Sequence, residues 1–187
     1  GECLPLTSLQ LQPNRFRALI HSILSQQISV HAARAIRFRL MELAGPEGLT
    51  DRRIAELSIE HLQSVGISRP KARYIKDLAD HVRSGQLRLN QIGRSNDAGV
   101  IAQLTAVKGI GVWTAQMFLV FSLGRLDVFP HDDYSIRAAI QTLYGLDELP
   151  DKQTSSKIAE PWLPFRTIAT WYCWRSHDLK GKQKVGV

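Results

Sequence analysis

The chain is poor in the residues that build disulfide frameworks and soft-metal sites. Its 187 residues include only two cysteines, Cys3 and Cys173, which lie far apart and form no CxxC spacing. The sequence therefore does not indicate a disulfide framework, a zinc site or an iron–sulfur cluster, and we expect no metal or cofactor to be required.

Long apolar runs are also missing. No segment approaches the roughly 20 apolar residues that span a bilayer, and the amino terminus has no basic-then-apolar export signal. We therefore expect a soluble protein with no membrane partner, in the cytoplasm or at the nucleoid, or in the nucleus if the organism is a eukaryote.

Acidic residues are the minority among the charged side chains. The chain has 24 Lys and Arg against 17 Asp and Glu, a formal net charge of +7. Such a balance favours a polyanionic partner such as nucleic acid, although charge alone is weak evidence for one.

Alternating strand patterns are absent, whereas apolar residues recur at helical spacing almost everywhere. We place Pro13 in the first turn of a helix. The apolar face of this helix comprises Phe16, Leu19, Ile20, Ile23 and Leu24. Ser29 is expected to cap a second helix that stops at Gly45, and Ser68 to open a longer helix that Gly85 closes.

The remaining helices follow from the same spacing. Asp51 and Ser58 are candidate caps of two short helices. Later helices are predicted at about residues 100–107, 133–144, 151–160 and 164–177. The basic tail, residues 180–187, is expected to be frayed. The fold predicted from these elements is all-α.

A short glycine turn, Lys108-Gly109-Ile110-Gly111, separates two helical patterns. Gly109 and Gly111 allow positive φ and a close approach of the backbone to a ligand, so successive N–H groups can point at one phosphate. The same sequence pattern would occur if the two glycines merely joined two packed helices. The stretch 62–67 is a weak echo of 104–110 and predicts a second tight turn. Basic residues that could face nucleic acid follow it: Arg69, Lys71, Arg73 and Lys76.

Two adjacent carboxylates, Asp132 and Asp133, follow the glycine turn and open a helical pattern. Carboxylates at that place either cap the helix at its positive end or carry acid chemistry. For Asp132 we favour the cap.

Four segments resemble one family. LTAVKGIGVWTAQMF, residues 104–118, resembles the helix-hairpin-helix of the DNA base-excision glycosylases, and DVFPHDDYSIR, residues 127–137, resembles the loop and aspartate that complete that motif. FRALIHSILSQQISVHAARAI, residues 16–36, and PFRTIATWYCWR, residues 164–175, resemble the alkyladenine branch, the 3-methyladenine DNA glycosylase II type. The likeness runs from about residue 13 to 175 in a fixed order.

The resemblance implies a compact form of this family without the amino-terminal β-domain of its longer members. One helical lobe would span residues 8–125, with the hairpin at about 107–112. The other would combine residues 1–7 with 126–187, and a cleft between the two lobes would hold the active site.

The resemblance also implies roles for single residues. Asp133 matches the family's catalytic aspartate, which stabilises an oxocarbenium-like sugar and orients or deprotonates the attacking water. Trp113 stands where members with lyase activity carry an amine nucleophile, so the enzyme is expected to be monofunctional and to leave an abasic site.

A base pocket is implied by Trp113, Tyr134 and Trp174, since an electron-rich ring attracts a cationic alkylated purine. Met117 replaces a tyrosine that contributes to the pocket in a bacterial relative, which leaves the substrate range open. Core packing is the alternative for these aromatic residues, and for Trp171 we favour it.

The duplex contacts implied by the family start at Gln27, which matches a leucine that fills the gap left by a flipped base. The alternative is that the polar residues around it only separate and cap two helices. The full set of DNA-binding candidates is Gln27, Lys108, Gly109, Ile110, Gly111, Thr114 and Lys71. The resemblance further implies a monovalent cation, sodium or potassium, at hairpin carbonyls near Val107 or Ile110, whereas His131 is expected to be structural.

These observations predict a monomeric, monofunctional glycosylase that flips alkylated purines such as 3-methyladenine out of damaged double-stranded DNA and hydrolyses the N-glycosidic bond. Two alternatives remain open. One is a non-enzymatic helix-hairpin-helix module that binds duplex DNA, and the other is a glycosylase for oxidised or deaminated bases.

Overall fold

The computed structural model describes residues 11–183, with side chains described as far as His177. Within this range the chain is helical and contains no strand, which confirms the all-α prediction. None of the described helices is both long and apolar enough to cross a membrane. The α-helices are α1 Arg15–Ser25, α2 Val30–Ala44, α3 Asp51–Glu56, α4 Ile59–Ser64, α5 Arg69–Arg83, α6 Asp97–Thr105, α7 Val112–Phe121, α8 Tyr134–Tyr144, α9 Lys152–Ile158 and α10 Arg166–Gln183.

The first helix buries the predicted apolar face but starts later than predicted. Asn14 is its N-cap and accepts a hydrogen bond from the Arg17 N–H at 3.0 Å, so Pro13 lies outside the first turn. An asparagine side chain satisfies an unpaired first-turn amide, which proline cannot do, and this sets the boundary. The residues of the buried face are Phe16, Leu19, Ile20, Ile23 and Leu24.

Several predicted boundaries are confirmed by cap geometry. Ser29 caps α2 and accepts from the Ala32 N–H at 3.2 Å, and Gly45 ends that helix with φ of 71°. Ser58 caps α4 in a reciprocal pair with His61. Ser68 precedes α5, and Gly85 follows it with φ of 76°.

Other boundaries differ from prediction for local reasons. Thr50, not Asp51, caps α3. Asn96 caps α6 and starts it three residues earlier than expected. α10 begins at Arg166 and continues through Gln183, so residues 180–183 of the tail are helical rather than frayed. Residues 184–187 and 1–7, the latter assigned above to the second lobe, lie outside the described residues.

The chain divides after Leu123 into two compact units. In the first unit α1 packs against α2, α5 and α7, while α3 packs against α5 and α6 against α7. In the second unit α8 packs against α10. The buried core of the second unit comprises Phe129, Ile136, Ala139, Ile140, Ala159 and Cys173.

Candidate functional site

The hairpin, residues 107–112, joins α6 to α7 in the first unit. Val107 and Ile110 are its buried anchors, and the Ile110 N–H donates to the Val107 carbonyl at 3.2 Å. Gly111 is the N-cap of α7 and has no side chain with which to cap it. The first turn of α7 thus has no side-chain cap, and a helix N-terminus of this kind favours an anion.

The two hairpin glycines are not equivalent. Gly109 has φ of 82°, and a Cβ there would lie 2.3 Å from two ring atoms of Tyr74, so both backbone and packing demand glycine. Gly111 has φ of −91°, and a Cβ would meet nothing within 4 Å. The expected positive φ therefore holds for Gly109 and is wrong for Gly111, whose missing side chain leaves space outside the hairpin.

The other hairpin candidates differ in exposure. The side chain of Lys108 is exposed, and its backbone N–H donates to Asp77 Oδ2 at 2.8 Å. Ile110 and Thr114 are only 4% exposed each, so their side chains offer little surface to a ligand.

The turn between α1 and α2, residues 25–29, exposes Gln27 with φ of 55°. Within the described residues Gln27 is the single non-glycine with positive φ, a conformation that costs about 1 kcal/mol or more. Strain of this kind persists only where the surroundings impose it, and it clusters at functional sites.

We expected the Lys71 ammonium group to be available to a ligand, but it is used within the fold. Its Nζ donates to the Leu24 carbonyl at 2.8 Å and to the Gln26 carbonyl at 2.6 Å, and partial burial lowers its pKa. The ammonium group thereby closes the carboxyl end of α1, where the helix dipole favours a cation. Lys76 acts similarly at α3, so of the four basic residues noted above only Arg69 and Arg73 are exposed.

The second tight turn predicted from the sequence echo is present between α4 and α5. Gly66 has φ of 92°, and its N–H donates to the Gln63 carbonyl at 2.9 Å. Leu62 and Ile67 are buried beside it, as Leu104 and Ile110 are at the hairpin. The echo therefore reflects a shared backbone geometry.

A cavity of about 340 Å³ opens beside α7 in the first unit. Trp113, which is 46% exposed, and Met117, which is 8% exposed, contribute to its wall. The other lining residues include His21, Gln26, Arg37 and Phe121. An indole and a thioether on one wall suit a flat, polarisable ring.

His21 of the cavity wall is held neutral. Burial, together with the nearby Arg37 and Arg17, lowers its pKa from 6.5 to about 4. Its Nε2 is buried without a hydrogen-bond partner. The sequence reasoning missed this residue because a lone histidine on an apolar helix face carries no distinguishing pattern.

In the second unit the two carboxylates have separate partners. Asp133 is the N-cap of α8 and accepts from the Ile136 N–H at 3.2 Å, and it is half-buried. Asp132 is exposed and pairs with Lys152, which lowers the pKa of that carboxyl; His131 lies 3.7 Å away. The expectation that Asp132 caps the helix is therefore wrong, because the cap position falls one residue later.

The segment before Asp133 is tied to α10 by an ion pair that sequence reasoning missed. Arg166 Nε and Nη2 donate to the two carboxylate oxygens of Asp127 at 2.7 and 2.8 Å, and the pKa of Asp127 is lowered as a result. Thr167 Oγ1 accepts from the Val128 N–H at 2.9 Å. These bonds hold the loop that leads into Asp133.

The aromatic candidates of the second unit lie in different environments. Tyr134 is 65% exposed and meets the His177 ring edge-on at 6.3 Å between centroids. Trp174 is partly buried against the core cluster of that unit. Trp171 lies under the Arg175 guanidinium at 5.6 Å.

No group of three or more His, Cys, Asp or Glu side chains among the described residues is arranged to hold a metal ion. The hairpin offers a different donor set, backbone carbonyl oxygens. The Gly109 carbonyl accepts from Gln26 Nε2 at 2.8 Å, and the Val107 carbonyl accepts from Ile110. Backbone carbonyl oxygens are ligands that hard cations prefer, but both of these carbonyls accept a hydrogen bond from the protein.

The helical fold, the glycine hairpin and the capped aspartate define a helix-hairpin-helix protein of the DNA-repair type. Residues 20–164 match the model of the HhH-GPD superfamily of base excision DNA repair proteins. The chain belongs to this superfamily.

Similar proteins cover nearly the whole chain. DNA-3-methyladenine glycosylase 1 of Schizosaccharomyces pombe is 36% identical over 178 residues, which span 90% of this chain and 78% of that protein. The crystal structure of a DNA-3-methyladenine glycosidase from Bacillus halodurans has a TM-score of 0.86 at 36% identity, covering 94% and 81% of the two chains. A 3-methyladenine DNA glycosylase of S. pombe in complex with abasic DNA has a TM-score of 0.80 at 34% identity, covering 95% and 87%.

Proposed function

We propose that the protein is a monofunctional DNA glycosylase that removes alkylated purines, 3-methyladenine and related bases, from double-stranded DNA. The observation that carries the proposal is the likeness over 90% of the chain to a relative named as a 3-methyladenine glycosylase. The net charge of +7 fits a duplex partner. The enzyme would act as a monomer in the compartment that holds the DNA, the bacterial cytoplasm or the eukaryotic nucleus.

The reaction breaks the C–N bond between base and sugar. As the base departs, positive charge develops on the sugar, and a fixed carboxylate near that carbon lowers the barrier. We assign this role to Asp133, which also orients or deprotonates the attacking water. Its hydrogen bond from the Ile136 N–H fixes the direction of the carboxylate.

The flipped base would rest against Trp113 and Met117, and the family resemblance keeps Tyr134 and Trp174 as separate candidates for contact with the base. A purine methylated at a ring nitrogen is cationic, and its attraction to an indole face is worth up to ~2 kcal/mol when desolvated. The cavity beside α7, with a volume of about 340 Å³, has a size compatible with one purine base.

Duplex DNA would be held by the hairpin and distorted by the 25–29 turn. Lys108 and the backbone amides of the hairpin and the first turn of α7, among them those of Gly109, Gly111 and Thr114, would bind phosphate. Gln27 would fill the gap that the flipped nucleotide leaves, and it can hydrogen-bond to the orphaned base. A sodium or potassium ion at hairpin carbonyls near Val107 or Ile110 would add positive charge next to the phosphate.

The test is release of free base from an alkylated duplex by the wild type, Asp133→Asn and Asp132→Asn. Asparagine is as good an N-cap as aspartate, so Asp133→Asn keeps the start of α8 while removing the negative charge. We expect Asp133→Asn to bind DNA but to lose at least about a thousandfold in base release. The matched neighbour Asp132→Asn should stay within about threefold of the wild type.

Strand nicking is scored before alkali treatment, with borohydride present in a parallel reaction. Base release without nicking and without a covalent adduct is expected because Trp113 has no nucleophile. A trapped adduct would indicate a lyase. Binding of the duplex without release of alkylated, oxidised or deaminated bases would indicate a non-enzymatic DNA-binding module.

A further inference from the structure

One face of α5 contacts both of the turns that the proposed function places on DNA. Lys71, Tyr74 and Asp77 are spaced three residues apart, so they follow one another along a single face of the helix. Lys71 reaches the 25–29 turn, whereas Tyr74 and Asp77 reach the hairpin. The helix therefore sets the spacing between these two turns.

The contact at the 25–29 turn is made by a charged donor. Lys71 Nζ donates to the carbonyls of Leu24 and Gln26 at 2.8 and 2.6 Å, and this second carbonyl belongs to the peptide bond that leads into Gln27. Hydrogen bonds from a charged donor are about twice as strong as neutral ones. The peptide unit before Gln27 is thus held in one orientation.

The contacts at the hairpin come from the next two turns of α5. Asp77 Oδ2 accepts the Lys108 N–H at 2.8 Å, and the Tyr74 ring occupies the space that a side chain at Gly109 would need. His81 Nδ1, on the following turn, lies 2.8 Å from the Asp77 carbonyl oxygen and 3.5 Å from Asp77 Oδ2.

A direct hydrogen bond also joins the 25–29 turn to the hairpin. Gln26 Nε2 donates to the Gly109 carbonyl at 2.8 Å, across 83 residues of sequence. Gln26 therefore has its carbonyl held by α5 and its side chain held by the hairpin. Both bonds precede Gln27, an exposed residue whose φ of 55° needs support from its surroundings.

We propose that Lys71 and Gln26 are positioning residues that hold Gln27 in its left-handed conformation, at a fixed place relative to the phosphate-binding hairpin. The proposal rests on the proposed function and on Gln27 as the residue that enters the duplex. Lys71 acts through Gln27 and does not line the cavity beside α7, whereas Gln26 acts through Gln27 and also contributes to the wall of that cavity. Their effect is to make binding of phosphate at the hairpin and insertion of Gln27 a single event.

The test compares Lys71→Met with Lys76→Met. Both lysines lie on α5, and both cap the carboxyl end of another helix: Lys76 Nζ donates to the Ala55 and Leu57 carbonyls at 2.7 and 2.9 Å, away from the 25–29 turn. We therefore expect both variants to lose similar general stability. Only Lys71→Met should also displace Gln27.

Single-turnover release of 3-methyladenine from a duplex at saturating protein is the first readout. We expect Lys71→Met to be slower by roughly 10- to 100-fold, because a displaced inserting residue costs rate rather than affinity. Lys76→Met and Lys71→Arg should stay within about threefold, the latter because a guanidinium can donate to two carbonyls. Gln26→Glu, which cannot donate to the Gly109 carbonyl, should be slow like Lys71→Met.

The second readout is a double-mutant cycle with Gln27→Ala. If Lys71 acts through Gln27, adding Lys71→Met to Gln27→Ala changes the rate by less than about twofold. The inference would be overturned if the rate losses of Lys71→Met and Gln27→Ala multiplied in the double variant. It would also be overturned if Lys71→Met and Lys76→Met lost rate equally. A wild-type protein that releases no base would refute the proposed function itself, so the two failures are distinguishable.

Discussion

Gly109 packs against the side chain of Tyr74: a Cβ at this position would lie 2.3 Å from the tyrosine Cγ and Cδ2. The residue also has φ of 82°, so both the backbone conformation and the packing require glycine here. Gly111, two residues further, has neither requirement. This contrast separates a glycine that the fold needs from a glycine that a ligand would need.

The first prediction uses this contrast. Gly109→Ala should lower the free energy of unfolding by roughly 2–4 kcal/mol, because it combines a left-handed alanine with overpacking against Tyr74. Gly111→Ala should leave urea stability within about 0.5 kcal/mol of the wild type. If Gly111 leaves room for a phosphate, the same variant should still weaken duplex binding at least about tenfold. Equal stability of the two variants would contradict the packing argument.

The second prediction concerns pH. His21 has a pKa of about 4 in the folded protein and 6.5 when exposed, so between these values the unfolded chain binds the extra proton. The contribution of neutral His21 to the free energy of unfolding is therefore fully present above pH 6.5 and is lost as the pH is lowered toward 4. His21→Gln should remove this contribution, and the stability difference between wild type and variant should change with pH in that window. A constant difference, measured by urea unfolding from pH 7.5 to 4, would contradict the assignment.

The third prediction concerns Trp113. If the indole face attracts cationic bases, Trp113→Leu should slow the excision of 3-methyladenine about tenfold more than that of neutral hypoxanthine. Competition between the two lesions in one duplex pool measures the ratio directly. Trp113→Phe, which keeps an aromatic face, should give an intermediate ratio. Equal slowing of both bases by Trp113→Leu would assign the residue to packing.

The fourth prediction concerns the phosphate contact of Lys108. Lys108→Ala should reduce the slope of log affinity against log salt by about 1 on an undamaged duplex. Lys108→Arg should keep the slope, since it keeps the charge. The backbone N–H of residue 108 still donates to Asp77 in both variants, so thermal stability should not separate them. An unchanged slope in Lys108→Ala would place phosphate binding elsewhere.

Local signals in the sequence predicted much of the secondary structure because caps and periodicity act over a few residues. Ser29 and Ser58 are followed by helical apolar patterns, and the structure has helices beginning there. Where two polar residues compete for one cap, the local signal was ambiguous, and Thr50 and Asn96 set boundaries that we had placed elsewhere.

The roles of charged side chains were less predictable. Lys71 was expected to face DNA, yet its ammonium group donates hydrogen bonds to carbonyls 45 and 47 residues away in the sequence. Asp127 and Arg166, 39 residues apart, form a two-bond ion pair that no motif indicated. Tyr74 and Asp77 were not candidates at all, although their spacing from Lys71 on one helix face is a signal that a search for aligned polar residues would find.

The sequence by itself determined the all-helical fold, the glycine turn and the family, since each of these depends on residue types in a fixed local order. The tertiary structure alone decided which lysines are structural, which of the two hairpin glycines is sterically required, and how Gln26 connects the 25–29 turn to the hairpin. The physical reason is that these contacts depend on the distance between side chains far apart in sequence, and packing of α1, α5 and α7 sets that distance.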